Sequence, residues 1–294
     1  MSSWIFYSIL SSFFTGLYLF CNQKVKVSTD VLIIYRGLVP AIILSFFIKN
    51  FPFIENWEFY ALCVFQSFLI MFMDLIYFRG TKKFGAESVS SVKSTTLIFT
   101  FVLWLFFKPD TFFYYCKNPL LFTGVLLCLL GVVFALSQKV SGSVLPTFKY
   151  LFFALCTSAL VANFNKIIMG YSHSSPQIGS FYYIVITGWL VGFMGLIRYC
   201  YLRKPLKEVF YVKNLKYCWI FVILIAMMAS KNYAMQKTTN PAFVMSIIYL
   251  NVIWVCIITK ISILFGAKRD FVKLNLKQIL LLLISVISLI FITR

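Results

Sequence analysis

Residues 119–137 have the sequence PLLFTGVLLCLLGVVFALS, in which no side chain is charged. A bilayer has a hydrocarbon core about 30 Å thick, which about 20 residues of helix can cross. Inside hydrocarbon each backbone N–H and C=O group needs a partner within the protein, and a single apolar run satisfies that need as a helix. The stretch therefore predicts a transmembrane helix.

Similar stretches fill almost the whole chain of 294 residues, of which 61% are hydrophobic and 12% charged. Soluble proteins carry about twice that share of charge. The predicted spans are 4–21, 31–48, 59–78, 88–107, 119–137, 150–168, 178–197, 215–234, 242–264 and 277–293. We therefore predict an all-α, multi-pass membrane protein with ten transmembrane helices, located in the cell (inner) membrane.

The net charge of +19 does not predict nucleic-acid binding, because the basic residues lie mostly in short loops. Of the 27 Lys and Arg residues, 17 follow odd-numbered spans, five lie on the opposite side and five lie within spans. Loops rich in Lys and Arg tend to stay in the cytoplasm. This bias places the odd-numbered loops in the cytoplasm and both termini outside.

The two halves of the chain share a pattern. Tyr77-Phe78-Arg79 and Gly85-Ala86 in the first half correspond to Tyr233-Ala234-Met235 and Pro241-Ala242 in the second, at a constant offset of 156 residues. Five spans per repeat would make the copies enter the membrane from opposite faces. We therefore expect two inverted five-helix repeats, residues 1–140 and 145–294, as in many secondary transporters. Two repeats make a monomer sufficient, although a dimer is possible.

The chain resembles the drug/metabolite transporter superfamily, in particular its ten-span EamA type. The residues that carry the resemblance are Asn22, Lys24, Arg36, Tyr77, Ala86, Ser88, Ser90, Ser91, Gly124, Gly131, Lys166 and Tyr233. The resemblance implies ten spans in two repeats, and termini in the cytoplasm, which opposes the charge count. The family often has proline midway through spans four and nine, where Thr95 or Thr96 and Asn251 stand here.

Polar residues inside the spans are the candidates for binding a substrate. Ionisable groups in membrane helices are costly and often face a cavity or a partner. The candidate substrate-binding residues are Arg36, Tyr77, Lys93, Lys166, Tyr183, Lys231, Tyr233 and Asn251. The alternative for the basic residues is that they extend to the membrane surface, and for Asn251 that it joins two helices. Lys260 is expected to extend to the surface.

Catalytic and metal-binding chemistry is not predicted. The only histidine is His173 in a loop, and the eight cysteines form no CxxC pair, so we expect no metal site and no cofactor. Asp74 and Glu87 are the only candidates for an acid within the membrane. A membrane-embedded enzyme acting on lipid would need a cluster of such groups, so we expect that the protein is not an enzyme.

These observations favour a secondary transporter that works by alternating access. Its partners would be membrane lipids and a small-molecule substrate, a polar metabolite with an anionic group. An amino acid or a derivative such as S-adenosylmethionine fits that description. The alternatives are an exporter or flippase of another solute class (a sugar phosphate, a nucleotide derivative or a lipid headgroup) and a non-transporting membrane scaffold.

Overall fold

The computed structural model describes residues 3–22, 25, 27–48, 50–84, 86–137, 144–172, 176–265 and 275–293, and these contain no strand. Fourteen α-helices follow one another along the described residues. They are α1 (Ser3–Asn22), α2 (Thr29–Ile48), α3 (Trp57–Phe84), α4 (Ala86–Lys93), α5 (Thr96–Phe107), α6 (Pro109–Lys117), α7 (Pro119–Ser137), α8 (Val144–Tyr171), α9 (Pro176–Tyr201), α10 (Val212–Leu215), α11 (Ile220–Lys237), α12 (Pro241–Ile248), α13 (Asn251–Leu264) and α14 (Leu276–Ile292). A short 3-10 helix, Leu206–Glu208, precedes α10.

Within the described residues, eight helices are long and apolar enough to cross a membrane. Large apolar side chains on their outer faces are exposed, including Phe46, Leu127 and Phe153, as expected for surfaces that contact lipid. The all-helical prediction is thus confirmed, and the chain is a multi-pass integral membrane protein.

The predicted fourth and tenth spans differ from the other eight. The segment Ser91–Phe107 meets α6 at a bend of 104°, and this bent pair would count as a ninth span. The tenth prediction, 277–293, corresponds to α14, which is apolar but only 17 residues long. Hydropathy located both segments, but it does not indicate where a helix bends or ends.

Two of the predicted spans are interrupted near their middle. Ser94 and Thr95 separate α4 from α5, and Tyr249 and Leu250 separate α12 from α13. The interruptions lie beside Thr96 and Asn251, where the family resemblance leads one to expect proline. Here hydroxyl groups compete for backbone oxygens instead: Ser94 Oγ donates to Ser91 O at 2.6 Å and Thr95 Oγ1 to Val92 O at 2.7 Å, an arrangement that bends helices.

Helices from the two halves of the chain pack against each other. Helix α2 contacts α9 and α7 contacts α14; α1 contacts α11 and α13, while α8 contacts α3 and α5. One buried cluster joins Ile5, Leu97, Val132, Ile247 and Leu282, which come from both halves. The halves therefore share their apolar core. The predicted boundary at 140–145 lies almost wholly outside the described residues.

Helices α2 and α9 approach each other closely, and glycines make this possible. A Cβ atom added at Gly37 would lie 2.7 Å from both Gly188 O and Gly192 Cα, and one added at Gly188 would lie 2.8 Å from Gly37 O. Small residues let helix backbones come close together in membranes, where packing rather than water drives association. This contact fixes the position of α2, which carries Arg36.

We expect Gly37→Ala to lower the stability of the protein, because its new methyl group would force the backbones of α2 and α9 apart. Overpacking of this kind costs about 1–3 kcal/mol. Gly170→Ala is the matched control, since its methyl group would meet nothing within 4 Å. The two variants would be compared by thermal unfolding in detergent. An equal melting temperature for both would contradict the tight contact.

Candidate functional site

Arg36 of α2 and Asp74 of α3 form an ion pair inside the bundle. Arg36 Nη1 contacts Asp74 Oδ2, and the Asp74 side chain is only 5% exposed, against 25% for Arg36. Burying either charge alone would cost several kcal/mol, whereas the pair and its hydrogen bond offset much of that cost. Arg36 therefore has a partner inside the protein and does not extend to the membrane surface.

Lys93 lies at the interruption between α4 and α5, beside an aromatic ring. Its Nζ is 5.0 Å from the centroid of the Tyr77 ring, a distance at which a cation is attracted to the ring face. Tyr249, at the interruption between α12 and α13, donates its hydroxyl to Lys93 O at 2.9 Å. The two interrupted helices thus meet at Lys93. Their contact joins residues separated by 156 positions, the same offset that relates the two halves in sequence.

A third cation approaches from the second half of the chain. Lys231 of α11 is close enough to Lys93 and Arg36 to interact electrostatically with both, and Lys93 in turn interacts with Asp74 and Arg36. Three basic side chains from different helices therefore lie together, and Asp74 approaches two of them, Arg36 and Lys93. Mutual repulsion of like charges makes this arrangement favourable for an anion.

Polar side chains extend this cluster on two sides. Tyr18 of α1 interacts electrostatically with Arg36 and Asp74. Tyr183 of α9 lies close to both Arg36 and Asn165. From there Asn165 Nδ2 donates to Asn232 Oδ1 at 3.0 Å and Asn232 Nδ2 donates to Ser180 Oγ at 3.1 Å. The buried amides link α8, α9 and α11 by directional bonds.

A small cavity of about 30 Å³ lies beside Arg36. Its lining combines Arg36 and Thr187 with apolar residues and glycines: Gly37, Pro40, Ile70, Ile184, Gly188, Val191 and Met228. The cavity lies between α2, α3, α9 and α11, at the tight glycine contact. In this conformation it has room for about one or two water molecules, beside one cationic group and mostly apolar walls.

Five of the eight candidate residues named from the sequence lie in or beside this cluster, namely Arg36, Tyr77, Lys93, Tyr183 and Lys231. The other three lie elsewhere. Lys166 Nζ donates to Gln236 O at 3.0 Å, and Lys166 also interacts with Lys108. Lys108 follows the last residue of α5, whereas Lys93 precedes the first. Because α5 has 12 residues, its two ends are about 18 Å apart.

Tyr233 and Asn251 pack against α1. The Tyr233 ring lies 4.0 Å from that of Tyr7, centroid to centroid. Asn251 is 7% exposed, and its backbone oxygen lies next to Gly16. Both positions are helix contacts. The Tyr233 ring belongs to the packing of α1 against α11, and the backbone of Asn251 to that of α1 against α13.

The sequence did not identify every member of the site. Asp74 was noted as a candidate acid but not as a binding residue, and its position 38 residues after Arg36 carries no local signal of the pairing. Tyr18, Ser180 and Asn232 were not named. Asn165 stands beside Lys166 in a polar sequence at the end of a span, which is the one signal that could have found it. The side chain of Glu87 and all of His173 lie outside the described residues.

No group of three or more His, Cys, Asp or Glu side chains suited to a metal ion occurs in the part of the chain that the structure describes. Comparison with known protein families gives no match, and comparison with curated proteins gives none either. The functional argument therefore depends on the cluster itself.

We expect Asp74→Asn to destabilise the protein by about 3 kcal/mol, because it leaves the charge of Arg36 inside the bundle without a partner. Adding Arg36→Gln should restore part of that loss. Asp110→Asn, at an exposed position in α6, is the control for removing a carboxylate. Chemical unfolding of the three single variants and the double variant gives the coupling free energy between Arg36 and Asp74. Strictly additive effects of the two site substitutions on the free energy of unfolding would contradict the ion pair.

Proposed function

We propose that the protein is a secondary transporter of the drug/metabolite type and that its substrate is a small metabolite with an anionic group. The observation that carries this proposal is the group of three basic side chains, Arg36, Lys93 and Lys231, beside Asp74, the one carboxylate found there among the side chains that the structure describes. Uncompensated cations inside a membrane bundle are costly. An anion that enters between the helices relieves that cost, which is the physical basis for binding.

The charge balance also distinguishes among candidate substrates. Among the described side chains, three basic groups in their charged forms and one carboxylate leave an excess of two positive charges. A dicarboxylate or a phosphate monoester would neutralise this excess. A zwitterionic amino acid would leave it unchanged, and S-adenosylmethionine, with its sulfonium and ammonium groups, would add to it. Within the class of anionic metabolites we therefore propose dianions as the preferred substrates.

Alternating access through two inverted repeats is proposed from the packing of the helices. Exchanging α1 with α8, α2 with α9, α3 with α11, α5 with α13 and α7 with α14 turns the contact of α1 with α11 into that of α8 with α3, and the contact of α1 with α13 into that of α8 with α5. It leaves the contacts of α2 with α9 and of α7 with α14 unchanged. A two-fold relation between the halves would produce this pattern. The contact between the two interrupted helices, through Tyr249 and Lys93, would then lie near the axis, where transporter sites are found.

The ten-span topology requires that α4 and α5 together cross the membrane. We expect cysteines introduced at Lys83 and Lys117, both exposed, to lie on opposite faces. In a background without the eight native cysteines, a membrane-impermeant maleimide should label only one of them in intact cells. The charge bias predicts that the labelled variant is Lys117→Cys, whereas the family resemblance predicts that it is Lys83→Cys. Labelling of both, or protection of both, would contradict a complete fourth span.

We expect Arg36→Gln, Lys93→Gln and Lys231→Gln each to reduce uptake of a dianionic substrate by proteoliposomes at least about 10-fold. A charge-assisted hydrogen bond contributes about 1.5–3 kcal/mol, which corresponds to that factor or more. Labelled malate, glycerol 3-phosphate, aspartate, glutamine and S-adenosylmethionine form the panel. Dianions should be taken up fastest.

Lys260→Gln is the matched control, because Lys260 of α13 is exposed and lies outside the cluster. It removes the same charge from a membrane helix and should leave uptake close to that of the unaltered protein. All variants are compared at equal reconstituted amounts and after a melting curve has shown folding. Similar uptake in all four variants would remove the basis for an anionic substrate.

A further inference from the structure

The chain segment that connects α9 to α11, residues 202–219, is held in a defined shape. Tyr35 donates its hydroxyl to Val209 O. Tyr199 donates its hydroxyl to Glu208 Oε2 at 2.9 Å, and Asn214 Nδ2 donates to Glu208 O at 2.6 Å. These bonds attach the inner side of the connector to α2 and α9. Its outer side is therefore presented as an ordered surface.

That outer surface combines cations with large apolar side chains. The exposed basic residues are Arg203, Lys207, Lys213 and Lys216. The exposed apolar and aromatic residues are Leu202, Leu206, Phe210, Tyr211, Val212, Leu215 and Trp219, with Phe210 69% and Val212 81% exposed. Lysines lie along the rings: Lys213 Nζ is 5.0 Å from the Tyr211 centroid and Lys216 Nζ 5.2 Å from that of Tyr217. We call this the connector face.

The carboxylates of this region are directed inward. Glu208, the one carboxylate in residues 198–219, accepts the Tyr199 hydroxyl. Asp30 of α2 forms ion pairs with Lys204 and with Arg198. Within the described ranges, no carboxylate forms an ion pair with Arg203, Lys207, Lys213 or Lys216.

The position of the connector face decides which partner it meets. Residues 202–211 connect two stretches that can each cross a membrane, Gln177–Tyr201 and Val212–Lys237, and residues 212–219 are the first part of the second one. The connector face therefore lies at the ends of both stretches, where the bilayer meets water. Aromatic side chains concentrate in that zone, and basic segments there attract anionic headgroups. A protein partner would have to displace lipid from the same apolar side chains.

We propose that the connector face binds anionic phospholipid, with the lysines contacting the headgroup phosphate and Phe210, Tyr211, Val212 and Trp219 contacting the glycerol and upper acyl region. This site lies apart from the Arg36 cluster and does not depend on transport. The lipid would hold the connector against the bilayer surface.

Binding is tested on the purified full-length protein in detergent with dioctanoyl-phosphatidylglycerol and with dioctanoyl-phosphatidylcholine as the neutral reference. The combined variant Lys207→Gln, Lys213→Gln and Lys216→Gln should bind phosphatidylglycerol about 100-fold less tightly, since each basic residue near an anionic lipid surface contributes about a fivefold factor. Its binding of phosphatidylcholine should not change. Raising the salt concentration should weaken only phosphatidylglycerol binding to the unaltered protein.

The control carries the same loss of charge at exposed lysines away from the connector, Lys108→Gln, Lys117→Gln and Lys237→Gln, and should retain the phosphatidylglycerol affinity. A second variant, Phe210→Ser with Val212→Ser, should weaken the binding of both lipids to the same extent. The proposal is overturned if the connector lysines can be replaced without loss of phosphatidylglycerol binding, or if the control loses as much. An unaltered protein that does not distinguish the two lipids would overturn it as well.

Discussion

The ion pair between Arg36 and Asp74 is the interaction on which the rest of the site depends. A guanidinium between membrane helices is tolerable only beside a compensating charge, and Asp74 supplies it from the neighbouring helix. With that carboxylate already engaged, no second one approaches Lys93 or Lys231 among the side chains that the structure describes. The described part of the site therefore carries an excess of positive charge.

Helix interruptions bring one of these cations to its place. Where α4 ends and α5 begins, the backbone leaves the regular helical pattern, and polar groups freed in a membrane bundle need other partners. Lys93 O obtains one from the Tyr249 hydroxyl, which lies at the equivalent interruption between α12 and α13. One hydrogen bond thus satisfies the backbone and joins the two halves beside the charged cluster.

Basic residues serve the protein in two different environments. Within the bundle Arg36, Lys93 and Lys231 are half-buried and close to one another, where low polarity strengthens each interaction. On the connector face they are exposed, and salt screens them. Tyr35 and Arg36 are neighbours in α2, and the first anchors the connector through Val209 while the second pairs with Asp74. Both environments are therefore built on the same turn of one helix.

The sequence by itself determined that the protein is helical and crosses the membrane several times, because apolar runs of 17 residues or more have few other stable forms in lipid. It also indicated Arg36, Lys93 and Lys231, since charges are rare in such runs. Only the tertiary structure decided that Asp74 pairs with Arg36 and that Lys166 lies near Lys108, away from the cluster. It also decided that Tyr233 and Asn251 pack against α1. A helix that is apolar on all sides carries no signal of which face turns inward, so the partners of its polar residues depend on how the helices pack.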